Sequence, residues 1–468
     1  MKEFKINTSA ISIKAGSYAL VLVCFLFLIS CDITDFLDVK PSKSLVVPST
    51  VEDYQAILDY DTHLNMNYSF LHKIASEDYF VTLNMWQSQD DVQRDVYIWN
   101  RTIDIGGFAL LSDWRNLFIK VNYANIALEG LEELGPRSAN DVDWNNAVGS
   151  ALFFRAFAFF HIAQSYAPPY HPTTASSSLG IPLRTETDIE SFTPRSNLAE
   201  TYEKILEDLL RAEPLLFEQP LVKTRPSKQA ARALLARIYQ IMHNHEKALE
   251  YANSTLSIRN TLLNYNDASP ISTVSNFELF NVEVIHHAST TSSSLFHRNA
   301  YVDTTLIASY QDNDLRRTKF FVPVGNGFYH FLGNYTGGAQ PFSGLAIDEV
   351  YLIKAESEAR LGNYQAAMQT LNDLLITRWE TGTFVPYTAS SVAEAMEIIL
   401  EERWKSLPFR GIKWIDLRRL NLEPEYAVTL TRSFENGETF TLPPNDTRYV
   451  LPIPLEEIRM TGIEQNIR

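Results

Sequence analysis

The sequence predicts a mainly α-helical protein built on stacked, antiparallel helix pairs. In Ile347–Leu375, apolar residues recur at helical spacing on both sides of a short break at Leu361–Tyr364. Gly362, inside that break, suits a helix C-terminus because glycine adopts a positive φ without strain. The small alanines on both sides allow two helices to approach closely. We therefore predict a helical hairpin here.

A second copy of this pattern lies upstream, in Ala233–Leu256. Its residues Asn244, Ala248 and Ala252 stand at the same spacing as an asparagine, an alanine and a leucine of the first hairpin. Repeated pairs of this kind are typical of tetratricopeptide-like units, whose apolar faces are buried only against stacked neighbours. We expect about four such pairs, with irregular loops and short β-hairpins inserted. The alternative is two unrelated helical hairpins.

Apolar periodicity and start signals predict the other helices. Ser49–Asp53 has the composition of a helix cap followed by acidic residues. Further helices are predicted at Trp114–Leu134, Ala147–Tyr166, Leu198–Leu216 and Val392–Lys405. Because Ala147–Tyr166 is apolar on most sides, we expect it to be deeply buried.

Few segments predict β-structure. The dipeptide Asn326-Gly327 stands between two β-prone runs of Phe320–Phe331, and this is the strongest short-range signal for a β-hairpin. Further short strands are expected at Val282–Ala288, Phe440–Pro444 and Tyr449–Pro454. These segments are read as insertions into a helical frame.

Composition limits the possible classes of function. The 468 residues are 45% hydrophobic, which is enough for a large core, and the length would permit two or three domains. The formal charge of −16 argues against a nucleic-acid binder or a binder of anionic membranes, because neither surface attracts such a chain. With only two cysteines, Cys24 and Cys31, no disulfide framework supports the fold.

The N-terminus has the pattern of a lipoprotein leader. Three lysines precede the apolar run Tyr18–Ile29, which is too short to span a membrane and reads as a secretion signal. The run ends at Ser30-Cys31, which resembles a bacterial lipobox. We expect residues 1–30 to be cleaved, Cys31 to carry lipid, residues 31–45 to form an acidic tether, and residues 46–468 to form a single domain. That domain would have an N-terminal portion of about 46–260 and a C-terminal portion of about 261–468. The alternative is an ordinary signal peptide with an incidental cysteine.

Four separated stretches share their pattern with one known family. They are the lipobox followed by Asp35–Pro41, the helix at Ala151–Ala163, the stretch Glu349–Asn372, and Glu402-Arg403 leading to Gly411–Arg419. The tail Leu451–Pro454 with Gln465-Asn466 continues the pattern. In this order they resemble the SusD/RagB outer-membrane lipoproteins, which serve TonB-dependent importers. The resemblance covers almost the whole chain and implies a SusD-like fold.

The resemblance also implies a function. Such a protein would be lipid-anchored in the outer membrane, facing the cell exterior, and would pass a captured nutrient to a SusC-like TonB-dependent transporter. No bond is broken, so the resemblance implies neither an enzyme nor a cofactor. Glycans are the commonest ligands of the family, and an oligosaccharide is therefore the expected cargo, with peptide as the open alternative.

Two segments supply side chains that suit a sugar. A sugar's apolar face stacks on an aromatic ring, while amides and carboxylates bind its hydroxyls. Tyr79–Trp99 and the loop His286–Tyr301 combine these groups. We predict ligand-binding residues within them: Trp86 and Tyr301 as stacking platforms, Asn84 as a hydroxyl partner, and Tyr97, Trp99 and Phe296 in support. The alternative is that these aromatic residues belong to the core.

No motif in the sequence indicates catalysis or metal binding. Adjacent carboxylates such as Glu401-Glu402 point away from one another on a helix, whereas glycoside hydrolysis needs carboxyls that face across a bond. His243 and His245 lie at the turn of the second hairpin, so we prefer a turn role to a metal site. Two other functions remain open: a lipid-anchored helical-repeat scaffold that binds peptide or protein, and an enzyme of unrecognised type.

Overall fold

The computed structural model describes residues 47–76, 78–188, 191–268, 275–291, 293 and 300–468. Residues Ser49–Arg468 form one contact unit, and of the other, Met1–Pro48, only the last two residues are described. The predicted signal segment, the tether, Cys31 and Phe296 lie outside the described residues.

Helices dominate the described part of the chain. In order they are α1 Val51–Leu58, α2 Asp61–Leu64, α3 Leu71–Ser76, α4 Leu83–Gln87, α5 Asp91–Tyr97, α6 Phe108–Leu134, α7 Val142–Tyr166, α8 Leu198–Leu215, α9 Lys228–Ile241, α10 His245–Ile258, α11 Thr304–Ser309, α12 Leu315–Phe320, α13 Ile347–Arg360, α14 Tyr364–Leu375, α15 Val392–Ser406, α16 Ile412–Leu420 and α17 Leu455–Thr461. A 3₁₀ turn covers Thr447–Tyr449.

The strands are short and pair in antiparallel twos. They are β1 Tyr79–Phe80, β2 Leu179–Pro182, β3 Arg195–Asn197, β4 Val284–His286, β5 Tyr301–Val302, β6 Phe321–Gly325, β7 Phe328–Phe331, β8 Leu345–Ala346, β9 Leu430–Ser433 and β10 Thr439–Leu442. The pairs are β1 with β5, β2 with β3, β4 with β8, β6 with β7, and β9 with β10.

The long helices pack on one another in chain order. Helix α6 packs on α7, α7 on α8, α9 on α10, and α13 on α14, while α10 also contacts α13 across the inserted segment. This arrangement confirms the predicted mainly α fold with tetratricopeptide-like pairs. The two predicted hairpins are α9–α10 and α13–α14.

The turns of these two hairpins have the same geometry. Gly362 has φ +88°, and its N–H donates to the carbonyl of Ala359 at 2.9 Å. His243 stands at the matching position with φ +58°, and its N–H donates to the carbonyl of Gln240 at 3.1 Å. The next residue, Asn244, caps α10 through its side chain. His243 therefore has the predicted turn role.

Helix α7 is the centre of the core. From Asn146 to Tyr166 every residue is buried, including five phenylalanines that have no exposed surface. Among the described residues, only this helix has the length and mean hydropathy of a membrane span, and the apolar window is wholly buried inside the protein. The prediction of a deeply buried helix is therefore confirmed, although the helix begins at Val142 rather than at Ala147.

Two local predictions have opposite outcomes. Thr50 caps α1, accepting a hydrogen bond from the N–H of Asp53, whose carboxylate accepts one from the N–H of Thr50 in return.

The strand predicted at Tyr449–Pro454 is wrong, because residues 450–454 have no ladder partner in the described structure. This segment instead docks on the core, with the N–H of Leu451 donating to the carbonyl of Ser165 at 2.9 Å.

A buried ionic cluster fastens the C-terminal helices to the frame. The carboxylate of Glu356, on α13, accepts hydrogen bonds from both terminal nitrogens of Arg419, at 2.6 and 2.7 Å. It also accepts Arg360 Nε at 2.8 Å and the amide of Gln240 at 2.7 Å. Arg419 Nε in turn donates to Asp416 at 2.9 Å. Several residues of the motif that carried the family resemblance therefore form one buried network.

Candidate functional site

The pairing of two very short strands sets up the candidate site. In the β1–β5 ladder, Phe80 is the cross-strand partner of Tyr301. Their ring centroids are 5.4 Å apart because directly opposed residues in a ladder share a face. The N–H of Asp303 donates to the carbonyl of Asp78 at 2.8 Å, which extends the pairing beyond the two strands. The backbone thus holds both rings side by side.

The β6–β7 hairpin adds two more rings to the same patch. Alternation along β7 places Phe328 and His330 on one face and Phe331 on the other. Phe328 lies 4.9 Å from the Tyr301 ring centroid, and His330 lies 5.6 Å from it. We call Phe80, Tyr301, Phe328 and His330 the aromatic face; all four are half-buried.

The opposite face of the hairpin anchors it to the core. Phe331 stacks on Phe409 with ring centroids 4.4 Å apart and ring planes inclined by 16°. Phe409 is buried, as are Phe320 and Phe321, which also pack against Phe331. The turn at Asn326-Gly327 has positive φ at both residues, as predicted for a two-residue hairpin. The aromatic face is therefore held by rigid contacts from behind.

Tyr301 is the one predicted platform that lies on this face. Trp86 lies elsewhere, on α4: its ring packs 5.1 Å from Phe434, and its indole N–H donates to the carbonyl of Arg94 at 3.0 Å. Trp86 is half-buried, and Asn84, on the same helix, is exposed. Within the described residues, the rings around Trp86 and those around Tyr301 have no member in common.

Tyr97 and Trp99 belong to the core, which corrects their assignment to a ligand site. Their exposed fractions are 1% and 3%, so neither ring has a face for a sugar. The Arg432 guanidinium lies 3.9 Å from the Tyr97 ring centroid and 4.8 Å from that of Trp99. Burial raises the pKa of Tyr97, although the charge of Arg432 opposes the shift. Phe296 is outside the described residues and stays a prediction.

Phe80, Phe328 and His330 are not among the ligand-binding residues predicted from the sequence. The sequence did carry a signal for two of them. Phe328 and His330 follow a predicted tight turn and stand two residues apart, so in a strand their side chains lie on the same face. The pairing of β1 with β5 could not be read locally, because more than 200 residues separate the two strands.

A cleft with three acidic residues in its wall lies next to α5 and has a volume of about 720 Å³. Its carboxylates already support local structure: Asp90 caps α5, Asp91 pairs with Arg94, and Asp104 accepts the N–H of Gly106. Phe108, 83% exposed, forms part of the wall. Searching only the described ranges, we find no group of three or more histidine, cysteine or acidic residues able to hold a metal ion.

Two stretches of the chain match models of one protein family. Residues 35–240 match a SusD-like family described as starch-binding and associating with the outer membrane, and residues 334–467 match the SusD family. The chain belongs to the SusD family. The stretch between these matches, residues 241–333, supplies three of the four rings of the aromatic face.

Similar proteins support this membership of the SusD family. SusD-like protein P2 of Formosa agariphila is 27% identical over 145 residues, which is 31% of this chain and only 26% of that protein. A SusD superfamily structure from Bacteroides thetaiotaomicron covers 90% of this chain and all of its own, with a TM-score of 0.73 and 19% identity. Surface glycan-binding protein A from Bacteroides fluxus covers 90% of this chain and 99% of its own, with a TM-score of 0.66 and 18% identity. At these identities the structures show the fold alone.

Proposed function

We propose that this SusD family protein binds oligosaccharide on its aromatic face and passes it to a TonB-dependent outer-membrane transporter. The observation that carries the proposal is the cluster of Phe80, Tyr301, Phe328 and His330, held from behind and half-open to solvent. Aromatic rings of this kind stack on the apolar faces of sugars. The face stands on inserted β-structure, so the helical frame is left for a protein partner.

Glycan binding is favoured over the two other candidate functions. A structural neighbour is named as a surface glycan-binding protein, and one matched family is described as starch-binding. An enzyme is disfavoured because the carboxylates in the wall of the cleft next to α5 already make structural hydrogen bonds and ion pairs. Peptide remains the alternative cargo, since rings and amides also bind peptides.

Calorimetry with a panel of oligosaccharides and peptides tests the proposal. Tyr301→Ala and Phe328→Ala are each expected to weaken oligosaccharide binding about five- to thirtyfold, because each removes about 1–2 kcal/mol of stacking. The matched control is Tyr60→Ala, since Tyr60 is 47% exposed and packs on His63 and Tyr123 away from β5 and β7. The affinity of Tyr60→Ala for oligosaccharide should equal that of the unchanged protein.

Trp86→Ala separates the two aromatic patches. On our proposal it leaves affinity within about twofold, because the Trp86 ring is held by Phe434 and Arg94 rather than by the aromatic face. A loss of binding in Trp86→Ala, with none in Tyr301→Ala, would move the site to α4. If peptides bind and no oligosaccharide does, the result would favour a helical-repeat scaffold that binds peptide.

The lipid anchor is a separate part of the proposal. Cys31 follows an apolar run that ends in a small residue, as lipid-bearing cysteines of bacterial lipoproteins do. We expect labelled palmitate to be incorporated into the expressed chain and to be lost in Cys31→Ala. In cell fractionation, the variant should then be absent from the outer-membrane fraction, because a stable anchor needs several acyl chains and the variant carries none. Labelling that persists in Cys31→Ala would contradict this assignment.

A further inference from the structure

The dipeptide Asn-Gly occurs twice in the chain, and both copies lie in β-hairpin turns. Asn326-Gly327 joins β6 to β7, and Asn436-Gly437 lies in the turn between β9 and β10. All four residues are exposed, and a Cβ placed on either glycine would meet no other part of the protein within 4 Å. The two copies have the same chemistry and equally open surroundings, so a difference in their reactivity must come from how each turn is held.

An Asn-Gly pair allows the asparagine side chain to react with its own backbone. The backbone nitrogen of the glycine loses its proton and attacks the side-chain carbonyl carbon of the asparagine, and the side-chain nitrogen leaves as ammonia. The five-membered imide that results takes up water at one of its two carbonyls, which gives aspartate or isoaspartate. The reaction needs only water, and glycine favours it because no side chain hinders the attacking nitrogen.

The Asn436 turn is held against this reaction. The side-chain amide of Asn436 donates to Glu438 Oε2 at 2.7 Å, and its side-chain oxygen accepts a hydrogen bond from the N–H of Glu438 at 3.1 Å. The N–H of Gly437, which would supply the attacking nitrogen, donates to the carbonyl of Phe434 at 2.9 Å. The carboxylates of Glu435 and Glu438 on both sides also disfavour loss of a proton from this nitrogen.

The Asn326 turn lacks these restraints. Among the described residues, no hydrogen bond reaches the Asn326 side chain or the N–H of Gly327. The residues from Pro323 to Phe328 carry no charge. We therefore propose that Asn326 is a site of spontaneous deamidation, which converts it to aspartate and isoaspartate while Asn436 stays intact. Either product adds a negative charge at the tip of the β6–β7 hairpin.

Incubation of the folded protein at mildly alkaline pH, followed by peptide mass spectrometry, tests the site. Asn326 should deamidate at least about tenfold faster than Asn436, because three hydrogen bonds must first break at Asn436. In urea the two rates should agree within about threefold, since unfolding releases both side chains. Equal rates in the folded protein would overturn the proposal. A preference for Asn326 of the same size in urea would also overturn it, because the fold would then not be the cause.

Glu438→Ala is the matched variant. It removes the carboxylate that holds the Asn436 amide and leaves the β6–β7 hairpin as it is. Deamidation of Asn436 should become about threefold faster or more, whereas the rate at Asn326 should not change. Glu438 is exposed, so the variant is expected to fold. An unchanged rate at Asn436 would contradict the protective role of these hydrogen bonds.

Isoaspartate in this turn should also disturb the aromatic face, a consequence that rests on the proposed glycan binding. It inserts one carbon into the backbone of a two-residue turn, and Phe328 follows that turn directly. Aspartate inserts none, and like asparagine it tolerates the φ of +54° at this position. Isoaspartate should therefore weaken oligosaccharide binding at least about fivefold, whereas Asn326→Asp should leave the affinity within about twofold.

Calorimetry with the tightest-binding oligosaccharide of the panel measures this effect. Aged protein is fractionated by ion exchange, and isoaspartate in each fraction is measured by enzymatic methylation. Equal affinity in the isoaspartate fraction and in Asn326→Asp would overturn the effect on the aromatic face. If fresh protein binds no oligosaccharide at all, the proposed function fails, but the mass gain at Asn326 still decides whether the modification site is correct.

Discussion

Glu356→Gln is expected to lower the free energy of unfolding by about 3–5 kcal/mol. Glu356 is fully buried and faces the guanidinium groups of Arg419 and Arg360. Burial alone would raise its pKa, but these two cations outweigh burial and hold the pKa well below its ordinary value. Without the carboxylate, two buried cations lose their main compensation. Denaturation in urea, followed by fluorescence, measures the change.

The control is a carboxylate in an exposed ion pair. Glu250 accepts Lys247 Nζ at 2.7 Å on the surface of α10, and both side chains are about half-exposed. Glu250→Gln should cost no more than about 0.5 kcal/mol, because solvent screens such pairs. In a double-mutant cycle, Arg419→Met should cost less in the Glu356→Gln background than alone. A loss below about 1 kcal/mol in Glu356→Gln would show that the network contributes little.

The helical frame could be predicted because its signals are local. The spacing of apolar residues fixes which face of a helix is buried, and a break with Gly362 marks the turn. The repeated pattern then implied stacking, and contacts between α9 and α10 and between α13 and α14 confirm it. Of the two ionic partners of Glu356, Arg360 is one helical turn away, but Arg419 lies 63 residues away and could not be paired with it from the sequence. The residues of this motif were recognised by their resemblance to a known family, but their contacts with one another became known only from the structure.

The candidate site was only partly predictable, for a related reason. In a stretch whose apolar periodicity is weak, the sequence does not indicate whether an aromatic side chain points inward. Tyr97 and Tyr301 therefore looked alike in the sequence, but the first is 1% exposed and the second is half-open on a ladder with Phe80. The position of Tyr301 depends on the pairing of β1 with β5, two strands that are distant in the sequence, and composition does not encode such pairing. The hairpin carrying Phe328 was predicted, but its position beside Tyr301 was not.

Buried histidines give the second large effect, on acid stability. The ring of His286 lies among those of Phe153, Phe154 and Phe157, at 4.9, 5.8 and 5.7 Å. The polar group beside the ring is the backbone of Arg225, and no well-aligned hydrogen bond reaches either ring nitrogen among the described residues. Burial lowers the pKa of His286 to about 3, and burial likewise lowers the pKa of His72 to about 3. Both rings are therefore neutral in the folded protein at ordinary pH.

The sign of the pH effect follows from the direction of these shifts. An unfolded chain takes up a proton on each histidine below about pH 6.5, whereas the folded protein does not until about pH 3. Unfolding is therefore favoured as pH falls from about 6.5 towards 3. At about pH 5 each of these histidines lowers stability by about 2 kcal/mol relative to neutral pH, since one pKa unit corresponds to about 1.4 kcal/mol.

His286→Phe isolates one of these contributions. The new ring meets three phenylalanines and buries no ring nitrogen, so stability at pH 7 should be equal or higher. Between pH 7 and about pH 5 the variant should lose about 2 kcal/mol less than the unchanged protein, measured by urea denaturation at each pH. His171→Phe, in a surface loop, is the control and should keep the original pH profile. An identical profile in His286→Phe would mean that His286 is protonated in the folded protein, through an opening of the core around α7.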